Sequence, residues 1–303
     1  MAEIILKTNQ LTKTYKHQHA LDNVNVTVRR GMIYGLIGEN GAGKSTFMRA
    51  VMGLIHPTSG ELSLFGGHTR KELLAARRKI GQSIETPALY LDLTGKQNMQ
   101  IQVAYGGVSE RQIEDLLALV KLNSAEKKKV KNYSLGMKQR LAIAMALVTN
   151  PELLILDEPM NGLDPLGIVE IRELLKQLVT EKGLTVILSS HLLSELSEIA
   201  THYGIIHNGK LIKEMSKEQL ETETKKYIAL CVDNPEQAIV VFNQLNIQNY
   251  RLVDTGTFRI FDHNEQISQI NQALVQQDIA VTKIDVVNQT LENYFMDLIG
   301  GAQ

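Results

Sequence analysis

The feature that most restricts the fold is an eight-residue run, Gly38-Glu39-Asn40-Gly41-Ala42-Gly43-Lys44-Ser45, which satisfies G-x-x-x-x-G-K-[ST] in full. Glycines at these places let backbone N–H groups approach an anion, and a helix starting at the end of the loop offers its positive terminus. Such a loop works between a buried strand and a helix. The flanks meet that demand. Met32 to Ile37 is nearly all apolar, as a strand covered on both faces must be. Ser45 to Leu54 follows with helical spacing, ended by Gly53 and Pro57. Lys44 is then expected to reach the β- and γ-phosphates of a nucleotide, and the Ser45 hydroxyl to ligate Mg²⁺.

More of the chain alternates in the same way. Leu153-Leu154-Ile155-Leu156 and Thr185-Val186-Ile187-Leu188 read as buried strands, with helical spacing from Ile168 to Glu181 between them. This predicts a parallel α/β sheet. Near the N-terminus, alternation at Ile4 and Leu6 and again at Val24, Val26 and Val28 predicts strands. Residues 71–148 read differently, with four helical stretches at Lys71–Arg78, Gly95–Tyr105, Glu110–Lys121 and Met137–Thr149. They predict a mainly helical insert. Asn208-Gly209 between two apolar runs predicts a hairpin that closes the core.

The last eighty residues follow another order. Strand, helix, hairpin, helix, strand and helix are predicted from Tyr227 to Ile299, a βαββαβ(α) series. Charge divides at the same place. Residues 1–220 carry 27 basic and 22 acidic side chains, a net of +5, and residues 221–303 carry 5 and 11, a net of -6. Two units are expected, 1–220 and 221–303, joined near the polar stretch Glu218–Lys226.

Composition excludes several classes. The net charge of -1 is low for a generic nucleic-acid binder, and no nucleic-acid partner is expected. A lone cysteine, Cys231, allows no internal disulfide and no cysteine-rich zinc site, so a reducing compartment is expected. The longest apolar run, Leu141 to Val148, has eight residues, against the roughly 20 a spanning helix needs. With Glu3, Lys7 and Asn9 at the start, no signal peptide is expected either. A soluble chain that something else must hold at any membrane is the expectation.

A second motif carries chemistry. The strand Leu153–Leu156 ends in Asp157-Glu158-Pro159. Asp157 is placed to hold Mg²⁺ and Glu158 to polarise an attacking water. Between the two motifs, Ser134 and Gly136 open the apolar helix that runs to Val148. Alone this is an ordinary helix cap, or else a second anion site.

The order of these segments resembles the ATP-binding subunits of ABC transporters. Tyr133-Ser134-Leu135-Gly136-Met137-Lys138-Gln139-Arg140 is similar to their signature Leu-Ser-Gly-Gly-Gln-x-Gln-Arg, keeping the Ser, the second Gly, the Gln and the Arg. Asn161-Gly162-Leu163-Asp164 resembles the D-loop, and His191, after a predicted strand, resembles the switch histidine that contacts the γ-phosphate. Tyr15 matches the aromatic that stacks on adenine. The resemblance covers residues 3–220 and implies a P-loop NTPase core of the ABC ATPase type, α/β in class, with an antiparallel β subdomain and the helical insert, beside the small α+β C-terminal domain already read from the pattern of the tail. It implies ATP and Mg²⁺ as cofactors, with Tyr15, Gly38, Asn40, Gly41, Gly43, Lys44, Ser45, Thr46, Ser134, Gly136 and Asp164 around the nucleotide. Glu158 and His191 are the implied catalytic pair, and Ser45 and Asp157 the implied metal ligands.

One departure narrows the likeness. Glu85 stands where most relatives carry the Q-loop glutamine. With Leu89-Tyr90, the segment Leu93–Asn98 and the tail from Thr290, it resembles the bacitracin-resistance and lantibiotic-immunity group. Glu85 is expected to serve as a metal ligand and catalytic neighbour, and chiefly to couple the site to a permease docked at Thr86, Pro87, Leu89 and Tyr90. The implied partners are a multi-spanning membrane permease and a second ATPase subunit, in a homodimer at the cytoplasmic face of the membrane. The alternative is a soluble ABC-type ATPase acting on ribosomes or DNA. Against it, the chain has one ATPase unit and no heptad arm. A P-loop kinase would leave Ser134–Arg140, Glu158 and His191 without a role.

Overall fold

Gly38 follows the central strand of a six-stranded sheet. The computed structural model describes residues 2–85, 88–125, 127–224, 226–262, 266–287 and 291–300, and the chain divides into two compact units at Lys217/Glu218. In the first unit come β1 (Ile4–Tyr15), β2 (Gln18–Val24), β3 (Thr27–Arg29), β4 (Ile33–Ile37), α1 (Lys44–Met52), β5 (Ser59–Leu64), α2 (Arg70–Arg77) and β6 (Ile80–Ser83). Then follow α3 (Gly95–Gly106), α4 (Ile113–Leu119), α5 (Leu135–Leu147), β7 (Leu153–Leu156), α6 (Pro165–Lys182), β8 (Thr185–Ser190), α7 (Leu193–Ser197), β9 (His202–His207) and β10 (Lys210–Ser216). The helix α8 (Lys217–Glu223) begins at the division.

The large sheet has the order β10-β9-β4-β8-β7-β6. All its pairs are parallel except β9–β10. Every residue of β4, β7 and β8 is buried. That matches their continuous apolar runs, since strands covered on both faces leave no polar side. A smaller antiparallel sheet joins β2, β1 and β3, with β5 also on β1. Phe47, Met48 and Val51 of α1 share one buried cluster with Ile5, Leu6 and Leu11 of β1 and with Tyr34 and Leu36 of β4. Burying such side chains contributes roughly 1.5–3 kcal/mol each, and here it fixes the helix that carries Lys44 and Ser45.

Three expectations need correction. The helical insert does not start at 71, because β6 lies in the large sheet against β7 and α2 packs on β5. With one aliphatic among Ile80-Gly81-Gln82-Ser83, β6 has too little pattern to read as a strand. The alternation Val24-Val26-Val28 spans two strands, since β2 ends at Val24 and β3 starts at Thr27. The polar join contains α8, whose charged sequence buries only Leu220.

In the second unit, β11 (Tyr227–Val232), α9 (Pro235–Gln244), β12 (Tyr250–Asp254), β13 (Thr257–Ile260), α10 (Ile267–Val275), β14 (Val281–Val287) and α11 (Leu291–Gly300) follow in turn. The sheet order is β12-β13-β11-β14, all antiparallel. Counted within the unit this is a split βαβ sheet. Phe242 of α9 meets Phe258 edge-on at 5.0 Å, inside a cluster with Ile228, Leu230 and Ile270.

Candidate active site

Register explains why distant residues meet. Ile37 pairs with Ser190, Leu156 with Leu188, and Ser83 with Leu156, so the ends of β4, β8, β7 and β6 lie side by side. The loops after those ends carry Gly38, His191, Asp157 and Glu85. In open α/β sheets this carboxyl edge is where ligands bind.

The phosphate loop is held by contacts that admit only glycine. A Cβ on Gly38 would stand 2.4 Å from the Ile206 carbonyl oxygen. Gly43, with φ of 116°, caps α1, and a Cβ there would stand 2.7 Å from the Ala20 carbonyl. No side chain closes the start of α1, so its free N–H groups face the loop. Lys44 is 5% exposed, and its ammonium donates to the carbonyls of Gly38 at 2.7 Å and Glu39 at 3.1 Å. It also sits 3.2 Å from Glu158 Oε1. Asn40 and Gly41 are exposed in the loop, and Thr46 lies half-buried in the first turn of α1.

Asp157 is gripped from two sides. The Ser45 hydroxyl donates to Oδ2 and the Ser189 hydroxyl to Oδ1, each at 2.6 Å. Ser189 in turn accepts the Glu158 N–H at 2.8 Å. Glu158 has φ of 46°, and its Oε2 accepts from His191 Nδ1 at 3.1 Å. One carboxylate thus spans Lys44 and His191. Glu85 forms an ion pair with Arg49 of α1. Ser45, Glu85, Asp157, Glu158 and Asn161 line a cleft of about 550 Å³, together with Leu135 and Gln139 of α5.

The remaining candidates lie apart from these contacts. Ser134 caps α5 through its own Met137 N–H at 3.2 Å and is exposed. Gly136 has room, since a Cβ would meet only Leu163, at 3.7 Å. Asp164 caps α6 by accepting the Gly167 N–H at 2.9 Å. Tyr15 ends β1 half-exposed, with the Lys13 ammonium 4.9 Å from its ring centroid. Thr86 and Pro87 lie outside the described residues.

Two residues escaped the sequence reading. Ser189 had a signal, a hydroxyl pair ending an otherwise apolar strand. Arg49 had a weaker one, since it sits four residues after Ser45 on one helix face.

The oxygens of Ser45 and Asp157 form a hard donor pair that suits Mg²⁺. Among the described residues no group of three or more His, Cys, Asp or Glu could cage a metal. A cation here would complete its shell with water and substrate oxygens, as Mg²⁺ does.

Comparison with known proteins agrees with this geometry. The ABC transporter family matches residues 21–161. The bacitracin transport ATP-binding protein BcrA of Bacillus licheniformis is 42% identical over 98% of this chain and 98% of its own. The lantibiotic transport ATP-binding protein SrtF of Streptococcus pyogenes is 47% identical over 69% of this chain and 90% of its own. Among solved structures, the ATP binding subunit of an ABC transporter is 32% identical, with a TM-score of 0.64 over 72% of this chain and 92% of that one. A dimeric ATP-binding cassette in a post-hydrolysis state, bound to ADP and Pi, is 28% identical with a TM-score of 0.64, covering 70% of this chain and 99% of that one. The chain belongs to the ATP-binding subunits of ABC transporters, and it is an ATPase whose hydrolysis is coupled to transport.

Proposed function

We propose that the chain drives a separate multi-spanning permease that exports a peptide antibiotic or a related drug, and that two copies act as a homodimer at the cytoplasmic face of the membrane. Full-length likeness to a bacitracin transport subunit supports the cargo class. No helix among the described residues is long and apolar enough to cross a membrane, so the reading assigns the crossing to a partner. A groove between β6 and α5, lined by Leu54, Ile84, Leu89 and Met145 with Gln82, Ser83 and Gln102, is mixed in polarity and suits a short amphipathic permease helix. Exposed Tyr90 follows Leu89 in the chain.

The observation that carries the chemistry is the Glu158 carboxylate, shared between Lys44 and His191. The Lys44 ammonium has three protons, and Gly38, Glu39 and Glu158 take them. A triphosphate seated on the loop competes with Glu158 for Lys44 and frees that carboxylate oxygen. Glu158 then takes a proton from water as the water oxygen bonds to the γ-phosphorus and the bond to ADP breaks. His191 keeps the carboxylate aimed. Ser45 and Asp157 would hold Mg²⁺, which offsets phosphate charge when bound.

Ser134 and Gly136 of the second copy would close each nucleotide site. Gly136 supports this, because nothing in its own subunit requires a glycine there. Two-fold symmetry gives two equal sites. Glu158→Gln tests the scheme. Hydrolysis should fall by about 10²–10⁴ while ATP binding survives, and chains should pair in saturating ATP with Mg²⁺. A variant that binds ATP yet remains monomeric in light scattering counts against the shared site.

A further inference from the structure

Arg49 leaves α1 on the face that carries Ser45, one turn later. Its guanidinium Nη2 meets Glu85 Oε1 in an ion pair. Glu85 has φ of 65°, in the left-handed region that non-glycine residues enter at a cost. That backbone turn and the ion pair act on one residue and carry its carboxylate to the cleft lined by Ser45, Asp157 and Glu158. The cleft therefore gathers three carboxylates at the place where a triphosphate must enter. Lys44 contacts Gly38, Glu39 and Glu158 and is the side chain that a bound triphosphate would recruit. Among the described residues, Arg49 is the cation paired with Glu85. It is two-thirds buried on a helix anchored in the core, while the Glu85 side chain is mostly exposed, so solvent screens the pair in part.

We propose that Arg49 is the positioning residue for Glu85: it fixes that carboxylate at the mouth of the nucleotide cleft and offsets the negative charge that Glu85 adds there. The proposal rests on the reading of the cleft as the ATP site. Without Arg49, Glu85 becomes an unbalanced anion beside Asp157, Glu158 and the phosphates. More Mg²⁺ is then needed to seat the nucleotide. Restoring neutrality by removing the Glu85 charge should undo the defect, which a merely structural role for Arg49 would not allow.

The test is equilibrium binding of mant-ATP, a fluorescent ATP analogue, to the full chain across a Mg²⁺ titration. Arg49→Gln should raise the Mg²⁺ concentration for half-maximal binding by about 3- to 10-fold. Arg49→Lys should fall between that variant and the natural chain, since it keeps the charge but loses the planar fork. The pair Arg49→Gln with Glu85→Gln should return to within about 2-fold of the natural chain. An unchanged requirement in Arg49→Gln overturns the proposal. So does a double variant no better than the single one, which would make Arg49 a packing residue only. Should Arg49→Gln fail to fold by circular dichroism, Glu85→Gln alone reads the same contact. The released Arg49 charge should then lower the Mg²⁺ requirement below that of the natural chain, and no change overturns the idea. Lys44→Ala separates the two readings: if it binds mant-ATP as well as the natural chain does, the assignment of the ATP site has failed, whatever Arg49 does.

Discussion

Two helix starts in the first unit contain the same kind of sequence and are finished differently. At α1 the glycines are forced by the fold, Lys44 is buried, and Ser45 is bonded to Asp157. At α5 the cap residue Ser134 is exposed and bonds only its own first turn, and Gly136 has open space where a side chain could stand. The first start is complete within one chain. The second has a glycine that its own chain does not need. A glycine kept without an internal reason makes sense where something external comes close to the backbone, and a nucleotide held by another copy would do so. On the proposed shared site, the contrast would separate what one subunit builds alone from what it would contribute to a second copy.

Substitution of the two glycines breaks the comparison most directly. Gly38→Ala should be the more damaging. Its Cβ would press on the Ile206 carbonyl at 2.4 Å, and the strain should cost about 1–3 kcal/mol. For a unit of this size the melting temperature should fall by roughly 2–10 °C. The shifted loop should also lose ATP binding, measured with mant-ATP. Gly136→Ala should do the reverse. A helical alanine gains up to about 1 kcal/mol over glycine, and the nearest contact at 3.7 Å is ordinary. Stability and ATP binding by the single chain should hold or rise, while ATP-dependent pairing and hydrolysis fall several-fold. If Gly136→Ala hydrolyses ATP normally, the two starts differ in packing but not in role.

Legibility in the sequence follows the same division. The phosphate loop is eight adjacent residues, so its demands are written in one place. The buried strands β4, β7 and β8 are readable for a similar reason, each being a continuous apolar run. Contacts that depend on folding are not. Ser45 and Asp157 stand 112 positions apart, and only family order suggests that they belong together. Ser189 reaches Asp157 across 32 positions, from the penultimate residue of a strand whose apolar pattern hides it. Arg49 reads as a surface arginine near the end of a helix until β6 is known to deliver Glu85 beside it. The strand β6 was itself obscured by Gln82 and Ser83, which a buried parallel strand would not be expected to carry.

The smallest expected effect concerns a third kind of helix start, one closed by its own residues. At α2 the Thr69 hydroxyl accepts the Glu72 N–H, and Glu72 returns the bond by accepting the Thr69 and His68 N–H groups at 2.9 Å. At α3 Thr94 and Gln97 form the same reciprocal pair. Only the α2 pair holds a charge. The backbone N–H of Thr69, then that of His68, holds the Glu72 carboxyl down at about 2, against an ordinary 4.5. The folded protein therefore binds the Glu72 proton more weakly than the unfolded chain does. Stability from this group is complete above the unfolded value and is lost as pH falls toward about 2. Glu72→Gln keeps the shape of the pair, as Gln97 shows, but cannot titrate. From pH 7 down to pH 3, the urea midpoint of the natural chain should drop further than that of Glu72→Gln, and the two curves should converge toward the acid end. Thr94 and Gln97 supply the control, since Gln97→Glu should add the same acid sensitivity to α3. Parallel curves for Glu72→Gln and the natural chain would show that the α2 start is held by geometry alone, as the α3 start is.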